Sequence, residues 1–309
     1  MSNQGTTDWT FNGSWPYEPK WFDSQDGRMH YIDEGPKSGQ PVILVHGNPT
    51  WGYLYRNFIG PLTEKGYRVI VPDHLGFGRS EKPDNAELYT VPKHAERFET
   101  LMKSLNLKNA VLVPHDWGGP ISFLWAVRNP DLLKGLFILN TGAYVVRKKE
   151  EKPFVLSLIS VKGLGEVLVR GLDLFKKCML FGAGIVKHER ITNQIKEAYL
   201  APHPNCSSRT SVLAFPRQIP TEPNHKLADY FEFLEQGLIQ FFRKKPVKIM
   251  WGMQDIAWRP HVLEEEWHRI LPNASVMRIE DAGHYVQEDA YELIVPQLLE
   301  FLENSSIQK

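Results

Sequence analysis

The stretch Val111-Leu112-Val113-Pro114-His115-Asp116-Trp117-Gly118-Gly119 decides the fold of this chain. Its first residues are apolar and predict a short buried strand, and the residues from Pro120 to Val127 have the apolar spacing of a helix. A strand that breaks into a helix over small residues holds the turn residue at the carboxyl edge of a sheet. We therefore expect Asp116 at that edge, where the motif G-x-S-x-G would carry a serine nucleophile.

An aspartate at this turn changes the chemistry that the sequence predicts. No G-x-S-x-G occurs anywhere in the chain. A carboxylate that attacks carbon forms an alkyl ester, so the expected reaction is displacement at carbon rather than acyl transfer from a serine. The alternative interpretation is that Asp116 caps the following helix, because aspartate is a good N-cap residue.

The composition excludes several classes of protein. The chain has 309 residues, is 42% hydrophobic, and contains 36 basic and 36 acidic residues, so no net field attracts nucleic acid or an anionic membrane. Two cysteines, Cys178 and Cys206, predict neither a disulfide framework nor a metal site. The polar start resembles no signal peptide, and no apolar run approaches the roughly 18 to 20 residues of a membrane span. We expect a cytoplasmic protein without metal, cofactor or membrane partner.

Strand-like and helix-like segments alternate along the chain. Continuous apolar runs of this length are typical of strands buried on both faces, as in a parallel sheet covered by helices. The predicted fold class is α/β with a mostly parallel, doubly wound sheet and a leading hairpin at 21–34. Helices are expected at 95–107 and 291–302, the second with Leu293, Val295, Leu298 and Phe301 inward. The predicted strands are 41–45, 67–71, 109–114, 136–139, 247–251 and 274–279.

The alternation breaks between 142 and 227, where no strand is predicted. This interval contains helical stretches at 154–160 and 165–177 and several prolines. We predict a helical cap at 142–227 inserted into an α/β core formed by 1–141 and 228–309. An insertion at the carboxyl edge of the sheet would lie over Asp116 and shape a pocket there. A merely structural insertion is the alternative.

Two later residues have the chain positions that a carboxylate nucleophile requires. His284 follows the last predicted strand and could activate the water that hydrolyses an ester. Asp255 follows the preceding strand and could hold the histidine in one tautomer. The order nucleophile, acid, histidine is that of the α/β-hydrolases. The other place for the acid holds Asn140, which cannot ionise, and Asp281 is a rival expected to shape a turn.

Asn48 and Trp117 are the candidate anion-binding residues. Asn48 follows the first parallel strand, and its backbone N–H, with that of Trp117, would form an oxyanion hole. Their side chains add an amide and an indole N–H, two uncharged donors suited to a departing halide beside Asp116. The alternative roles are a turn residue for Asn48 and ordinary packing for Trp117.

At this point the chain resembles the haloalkane dehalogenases. The segments that carry the resemblance run nearly end to end: MHYIDEG, HGNPTWGYLYRN, PDHLGFGRSEKP, HDWGG, FPRQIP and DAGHYVQED. It implies that Asp116 is the nucleophile, His284 the base, Asp255 the acid, and Asn48 with Trp117 the halide pair. Because the cap segment contains no tryptophan and Asn140 is no acid, the third subfamily is the most similar. A small apolar substrate and water are the implied partners.

Other activities share this scaffold. The β-lactone decarboxylases of olefin synthesis have the same Asp, His and Trp, and are the main alternative. An epoxide hydrolase would need cap tyrosines, for which Tyr144 and Tyr199 are candidates, but Asn48 replaces the bulky apolar residue usual there. A non-catalytic receptor is disfavoured by the intact set of three residues. The segment FPRQIP favours a dehalogenase.

Overall fold

A computed structural model describes residues 7–149 and 154–307 of the chain. Eight strands form one sheet in the order β1-β2-β4-β3-β5-β6-β7-β8. The pairings of β1 with β2 and of β2 with β4 are antiparallel. The remaining six strands, β3 to β8, are parallel to one another. The strands are β1 (Lys20–Ser24), β2 (Gly27–Glu34), β3 (Pro41–Val45), β4 (Arg68–Pro72), β5 (Ala110–Pro114), β6 (Leu133–Leu139), β7 (Val247–Gly252) and β8 (Ser275–Ile279).

The α-helices cover the sheet and fill the segment between β6 and β7. Every residue of β3 and β5 is buried, because helices lie against both faces of the parallel sheet. The helices are α1 (Arg56–Glu64), α2 (Val91–Ser104), α3 (Gly118–Arg128), α4 (Phe154–Ser160), α5 (Leu174–Cys178), α6 (Asn193–Leu200), α7 (Thr210–Ala214), α8 (Ala228–Phe242), α9 (His268–Ile270), α10 (Val286–Asp289) and α11 (Tyr291–Ile307).

Two details of the predicted helices are wrong. Leu293, expected inward, is exposed, and the neighbouring Ile294 is buried instead, whereas Val295 and Leu298 are buried as predicted. The single helix predicted at 165–177 is interrupted. Asp173 adopts a left-handed conformation with φ of 55°, which ends a π-helical turn at Glu166–Gly171 and separates it from α5.

The segment between β6 and β7 is helical in its described part. Residues 142–149 and 154–227 contain no strand there. One buried cluster attaches this segment to the sheet domain: the Arg56 guanidinium binds both Glu288 carboxylate oxygens at 2.6 and 2.7 Å, and the Tyr199 hydroxyl donates to the same carboxylate. Trp51 adds an indole hydrogen bond to the Ala198 carbonyl at 2.9 Å.

The Gln218 side chain attaches the FPRQIP segment to α2. Its amide oxygen accepts from the backbone N–H of Val91 at 3.0 Å, and its amide nitrogen donates to the Tyr89 carbonyl at 2.9 Å. Among the helices of residues 7–149 and 154–307, none is long and apolar enough to cross a membrane.

Candidate active site

The turn after β5 holds Asp116 in a conformation that few residues adopt. Its φ is 49°, in the left-handed region, and its backbone N–H donates to the Asn140 carbonyl at 3.0 Å. The residue at the N-cap position of α3 is Trp117, and the Asp116 side chain bonds to Asn48 and Trp258 instead. The alternative interpretation of Asp116 as a helix cap is therefore wrong.

Two glycines give the turn the space it needs. A Cβ atom on Gly47 would lie 2.3 Å from Oδ2 of Asp116, and one on Gly118 would lie 2.4 Å from the Val45 carbonyl oxygen. Both separations are far below van der Waals contact, so any side chain at either position would displace the turn. The glycines of HGNPT and HDWGG are there because β3 and β5 bring these two loops together.

The two oxygens of the Asp116 carboxylate have different surroundings. Oδ2 accepts a hydrogen bond from the backbone N–H of Asn48 at 2.8 Å and lies beside the backbone of Trp117. Oδ1 accepts from the indole Nε1 of Trp258 at 2.9 Å and lies 3.6 Å from Nε2 of His284. Oδ2 thus faces the backbone of Asn48 and Trp117, and Oδ1 is the oxygen that faces the histidine.

His284, Asp255 and Asn140 form a buried chain of hydrogen bonds behind Asp116. Nδ1 of His284 is 2.9 Å from Oδ2 of Asp255, which also accepts from the Asn140 amide at 2.8 Å. This geometry keeps the histidine proton on Nδ1 and directs the free Nε2 toward Asp116. Asn140, predicted only to be unable to serve as the acid, is the residue that orients Asp255.

Burial and the surrounding charges have opposite effects on the pKa values of Asp116 and His284. Burial raises the pKa of Asp116 above its ordinary value, although the His284 ring and three hydrogen bonds from Trp117, Trp258 and Asn48 partly offset it. For His284 burial disfavours the charged ring, but the carboxylates of Asp255 and Asp116 outweigh that effect and raise the pKa. The histidine therefore stays protonated to a higher pH than a free imidazole.

A cavity of about 200 Å³ lies over Asp116. Asn48, Trp117 and His284 form its polar floor with Asp116, whereas Asp255 is buried behind the histidine. All five residues predicted from the sequence thus meet in one place. The segment between β6 and β7 supplies much of the apolar wall, including Leu156, Phe175, Met179, Pro216 and Ile219.

Asn48 and Trp117 contact the site through both backbone and side chain. The amide oxygen of Asn48 is buried and has no hydrogen-bond partner among the residues the structure describes. The Trp117 ring packs against Phe215, with ring centroids 5.3 Å apart, so FPRQIP contributes directly to the position of this indole. Asp281, the rival acid, forms an exposed ion pair with Lys187 at 2.7 Å instead of reaching His284.

Trp258 is the site residue that sequence reasoning missed. It stands three residues after Asp255, and the only signal in the sequence was that the same turn would bring it to the carboxyl edge of the sheet. A tryptophan in a turn is so often a packing residue that this position alone does not indicate a hydrogen bond to Asp116. Within residues 7–149 and 154–307 no cluster of ligands could hold a metal ion.

Comparison with known proteins agrees with this fold. Residues 40–291 match the family model described as the alpha/beta hydrolase fold. The chain belongs to the α/β-hydrolase family, and within it to the group that contains the haloalkane dehalogenases and the cis-3-alkyl-4-alkyloxetan-2-one decarboxylases.

The relatives are of both kinds. A decarboxylase of that name from Shewanella oneidensis is 37% identical over 93% of this chain and 89% of its own length. Haloalkane dehalogenase 2 from Mycobacterium tuberculosis is 33% identical over 93% of this chain and 95% of its own. Among solved structures, haloalkane dehalogenase DpaA from Paraglaciecola agarilytica NO2 is 30% identical with a TM-score of 0.76, covering 92% of each chain.

Proposed function

We propose that this chain is a haloalkane dehalogenase, which hydrolyses a carbon–halogen bond through an ester on Asp116. One observation carries the proposal: Oδ1 of Asp116 faces Nε2 of His284 at 3.6 Å beneath an apolar cavity, while Oδ2 accepts from a backbone N–H. A hydrolase needs a nucleophile, a base for water and an oxyanion site around one carboxylate. This arrangement offers all three.

In the first step Oδ1 attacks the carbon that bears the halogen. The carbon–halogen bond breaks, and its electron pair leaves with the halide. Asn48 and Trp117 line the cavity at this point, and uncharged N–H donors there would stabilise the anion without pairing with Asp116. The product of the step is a neutral alkyl ester whose carbonyl oxygen is Oδ2.

In the second step water hydrolyses the ester. Nε2 of His284 takes a proton from the water, whose oxygen attacks Cγ of Asp116. Negative charge develops on Oδ2, beside the backbone N–H of Asn48. The Cγ–Oδ1 bond then breaks, and Oδ1 takes the proton from His284 and leaves as the alcohol. The water oxygen remains in the carboxyl group, which releases its own proton to solvent.

The helical segment and the surroundings of the protein belong to the same proposal. We infer that 142–227 acts as a cap on the core of 1–141 and 228–309; residues 150–153 of it, with 1–6 and 308–309 of the core, lie outside the described residues. The apolar wall that this segment supplies supports the inference. A cytoplasmic location, an apolar substrate and the absence of a cofactor remain predictions.

A second candidate is decarboxylation of a β-lactone. It is favoured by two relatives that carry this name and are 37% and 36% identical over 93% and 94% of the chain. Oδ1 would attack the ring carbon that bears the oxygen, and the ring opens to a carboxylate. The bond between the chain and that carboxylate then breaks as CO₂ leaves, its electron pair forms the double bond, and Oδ1 recovers its own pair.

Parallel assays separate the two activities. Wild-type protein is given 1-bromohexane and, separately, a cis-3,4-dialkyl β-lactone, while bromide and CO₂ release are followed. We expect bromide release, its loss in Asp116→Asn, and a stable hexyl adduct on Asp116 in His284→Phe, detected by mass spectrometry of the intact protein. Rapid CO₂ release with inert bromoalkanes would replace the first candidate by the second.

A further inference from the structure

Trp258 contacts the nucleophile at the oxygen that changes charge in both steps. Its indole Nε1 donates to Oδ1 of Asp116 at 2.9 Å, whereas the oxyanion donor of Asn48 binds Oδ2 at 2.8 Å. The two hydrogen bonds therefore act on different atoms and at different moments. A donor on Oδ2 stabilises the tetrahedral intermediate, and a donor on Oδ1 acts when Oδ1 becomes the leaving atom.

The position of Trp258 is set by a dedicated turn. Oδ1 of Asp255 accepts from the backbone N–H groups of Ala257 and Trp258 at 2.7 and 3.0 Å, and its Oδ2 faces His284. One buried carboxylate thus fixes both groups that approach Oδ1 of the nucleophile.

Gly142 leaves the space that the indole ring occupies. A Cβ atom on Gly142 would lie 2.3 Å from Cζ3 of Trp258, so no other residue fits there without moving the ring. Tyr144 meets the same ring edge to face, with centroids 6.5 Å apart. The position of the indole is therefore fixed by packing against Gly142 and Tyr144.

A hydrogen bond to Oδ1 has opposite effects on the two steps. In the first step negative charge leaves Oδ1 as it bonds to carbon, so the donor stabilises the starting state and slows attack. In the second step the Cγ–Oδ1 bond breaks and charge returns to Oδ1, so the donor stabilises the transition state more than the ester. The net effect of such a donor is to make Asp116 release its product.

We propose that Trp258 is a catalytic residue that assists the departure of Oδ1 when the aspartyl ester breaks down. The proposal rests on the covalent ester of the proposed function. It also applies to the second candidate, because Oδ1 is the leaving atom in decarboxylation as well.

The test measures ester formation and ester breakdown separately in Trp258→Phe. Rapid-quench samples with 1-bromohexane, or with the β-lactone if that is the substrate, are analysed by mass spectrometry of the intact protein. We expect formation at least as fast as in wild type and breakdown slower by about tenfold to a hundredfold, so the ester accumulates although His284 is intact. Equal slowing of both steps, or unchanged breakdown, would overturn the proposal.

Two further variants test whether ester accumulates because the hydrogen bond is lost or because aromatic volume is lost elsewhere in the core. Gly142→Ala keeps the indole but displaces it, and we expect it to accumulate ester as well. Trp125→Phe is the matched control, because this buried indole lies outside the cavity and its Nε1 has no hydrogen-bond partner within the described residues. Ester accumulation in this control would mean that loss of aromatic volume is the cause.

A measurement without substrate distinguishes failure of this proposal from failure of the proposed function. In protein labelled with ¹³C at aspartate Cγ, the Asp116 signal is assigned by Asp116→Asn and titrated. Loss of the Trp258 donor should raise the pKa of Asp116, and Trp125→Phe should leave it unchanged. An unchanged pKa in Trp258→Phe overturns the donor role, whether or not a substrate is found. If the pKa rises but neither compound forms an ester, the hydrogen bond to Asp116 stands, but the proposed function fails and takes with it the role of Trp258 in ester breakdown.

Discussion

Asp116 carries its charge where burial opposes it. Only about 5% of the residue is exposed, and the raised pKa reflects a carboxylate removed from water. The protein compensates with hydrogen bonds on both oxygens, from Asn48 on one side and Trp258 on the other. A poorly solvated carboxylate is a stronger nucleophile than one in water, so the same environment that destabilises the charge favours attack on carbon.

The pKa of His284 should depend on the state of the nucleophile. In the free protein the Asp116 charge is one of the causes that raise this pKa, and formation of the ester removes that charge. Hydrolysis requires the neutral ring, so its rate falls as the pH drops through the pKa of His284 in the ester. We expect this fall at a lower pH than the one at which His284 titrates in the free protein.

Nuclear magnetic resonance of the His284 ring gives its pKa in the free protein. The pH dependence of single-turnover ester hydrolysis gives its pKa in the ester. Asp255→Asn serves as a control, because Asp255 has the larger of the two effects on the pKa of His284 and its removal should lower the free pKa strongly. Coincidence of the two values in wild type would show that Asp116 and His284 do not interact through their charges.

At the scale of elements, the cluster of Arg56, Glu288 and Tyr199 joins three helices, α1, α10 and α6, that lie far apart in the sequence. Arg56 and Glu288 belong to the motifs HGNPTWGYLYRN and DAGHYVQED, and Tyr199 lies on α6. Both charged side chains are less than a tenth exposed. Neither motif residue lines the cavity over Asp116, so we infer that their part in the resemblance is structural.

Removing the carboxylate of this cluster should destabilise the fold. Glu288→Ala leaves the buried guanidinium of Arg56 unpaired, and we expect a loss of about 3–5 kcal/mol in the free energy of unfolding, measured by urea denaturation. Glu292→Ala is the matched control. It removes the exposed partner of Arg190 and should cost less than about 1 kcal/mol. Similar losses in both variants would contradict the assigned role of burial.

The sequence predicts elements where the signal is local. The predicted strands at 41–45 and 247–251 coincide with β3 and β7 within a residue, because short, mainly apolar runs are typical of buried strands. The prediction for α11 was wrong at Leu293. Residues 293, 294 and 295 are all apolar, and only the packing decides which of them are buried. The break at Asp173 depends on a left-handed residue that composition does not indicate.

The site was predictable to the extent that topology determines it. Asp116, Asp255 and His284 follow three different parallel strands, and the carboxyl ends of such strands meet at one edge. Trp258 and the orienting role of Asn140 depend on the path of single turns after those strands. No pattern of residue types expresses such a path, so both emerged only from the structure.

At the scale of the whole molecule, the sheet and the segment between β6 and β7 meet at the carboxyl edge of the sheet, around Asp116. The strands deliver the polar groups from below, and the segment between β6 and β7 closes the cavity with apolar side chains from above. The buried cluster at Glu288 and the Gln218 hydrogen bonds fix this segment at two separate places. These contacts hold the apolar wall of the cavity in place over Asp116.

The double use of Asp255 has a consequence for how such an enzyme could change during evolution. A carboxylate at residue 140, which already contacts Asp255, could take over the role of Asp255 beside His284. Residue 255 would then still need a side-chain oxygen to accept from the backbone N–H of Trp258. Asp255→Asn should lower turnover by up to about 10⁴-fold, and adding Asn140→Glu should recover part of it. The same Asn140→Glu with Asp255→Ala should recover turnover less and accumulate ester, measured by intact mass. Equal recovery in both would mean that the acid can migrate freely; unequal recovery would mean that an amide must first be left behind at 255.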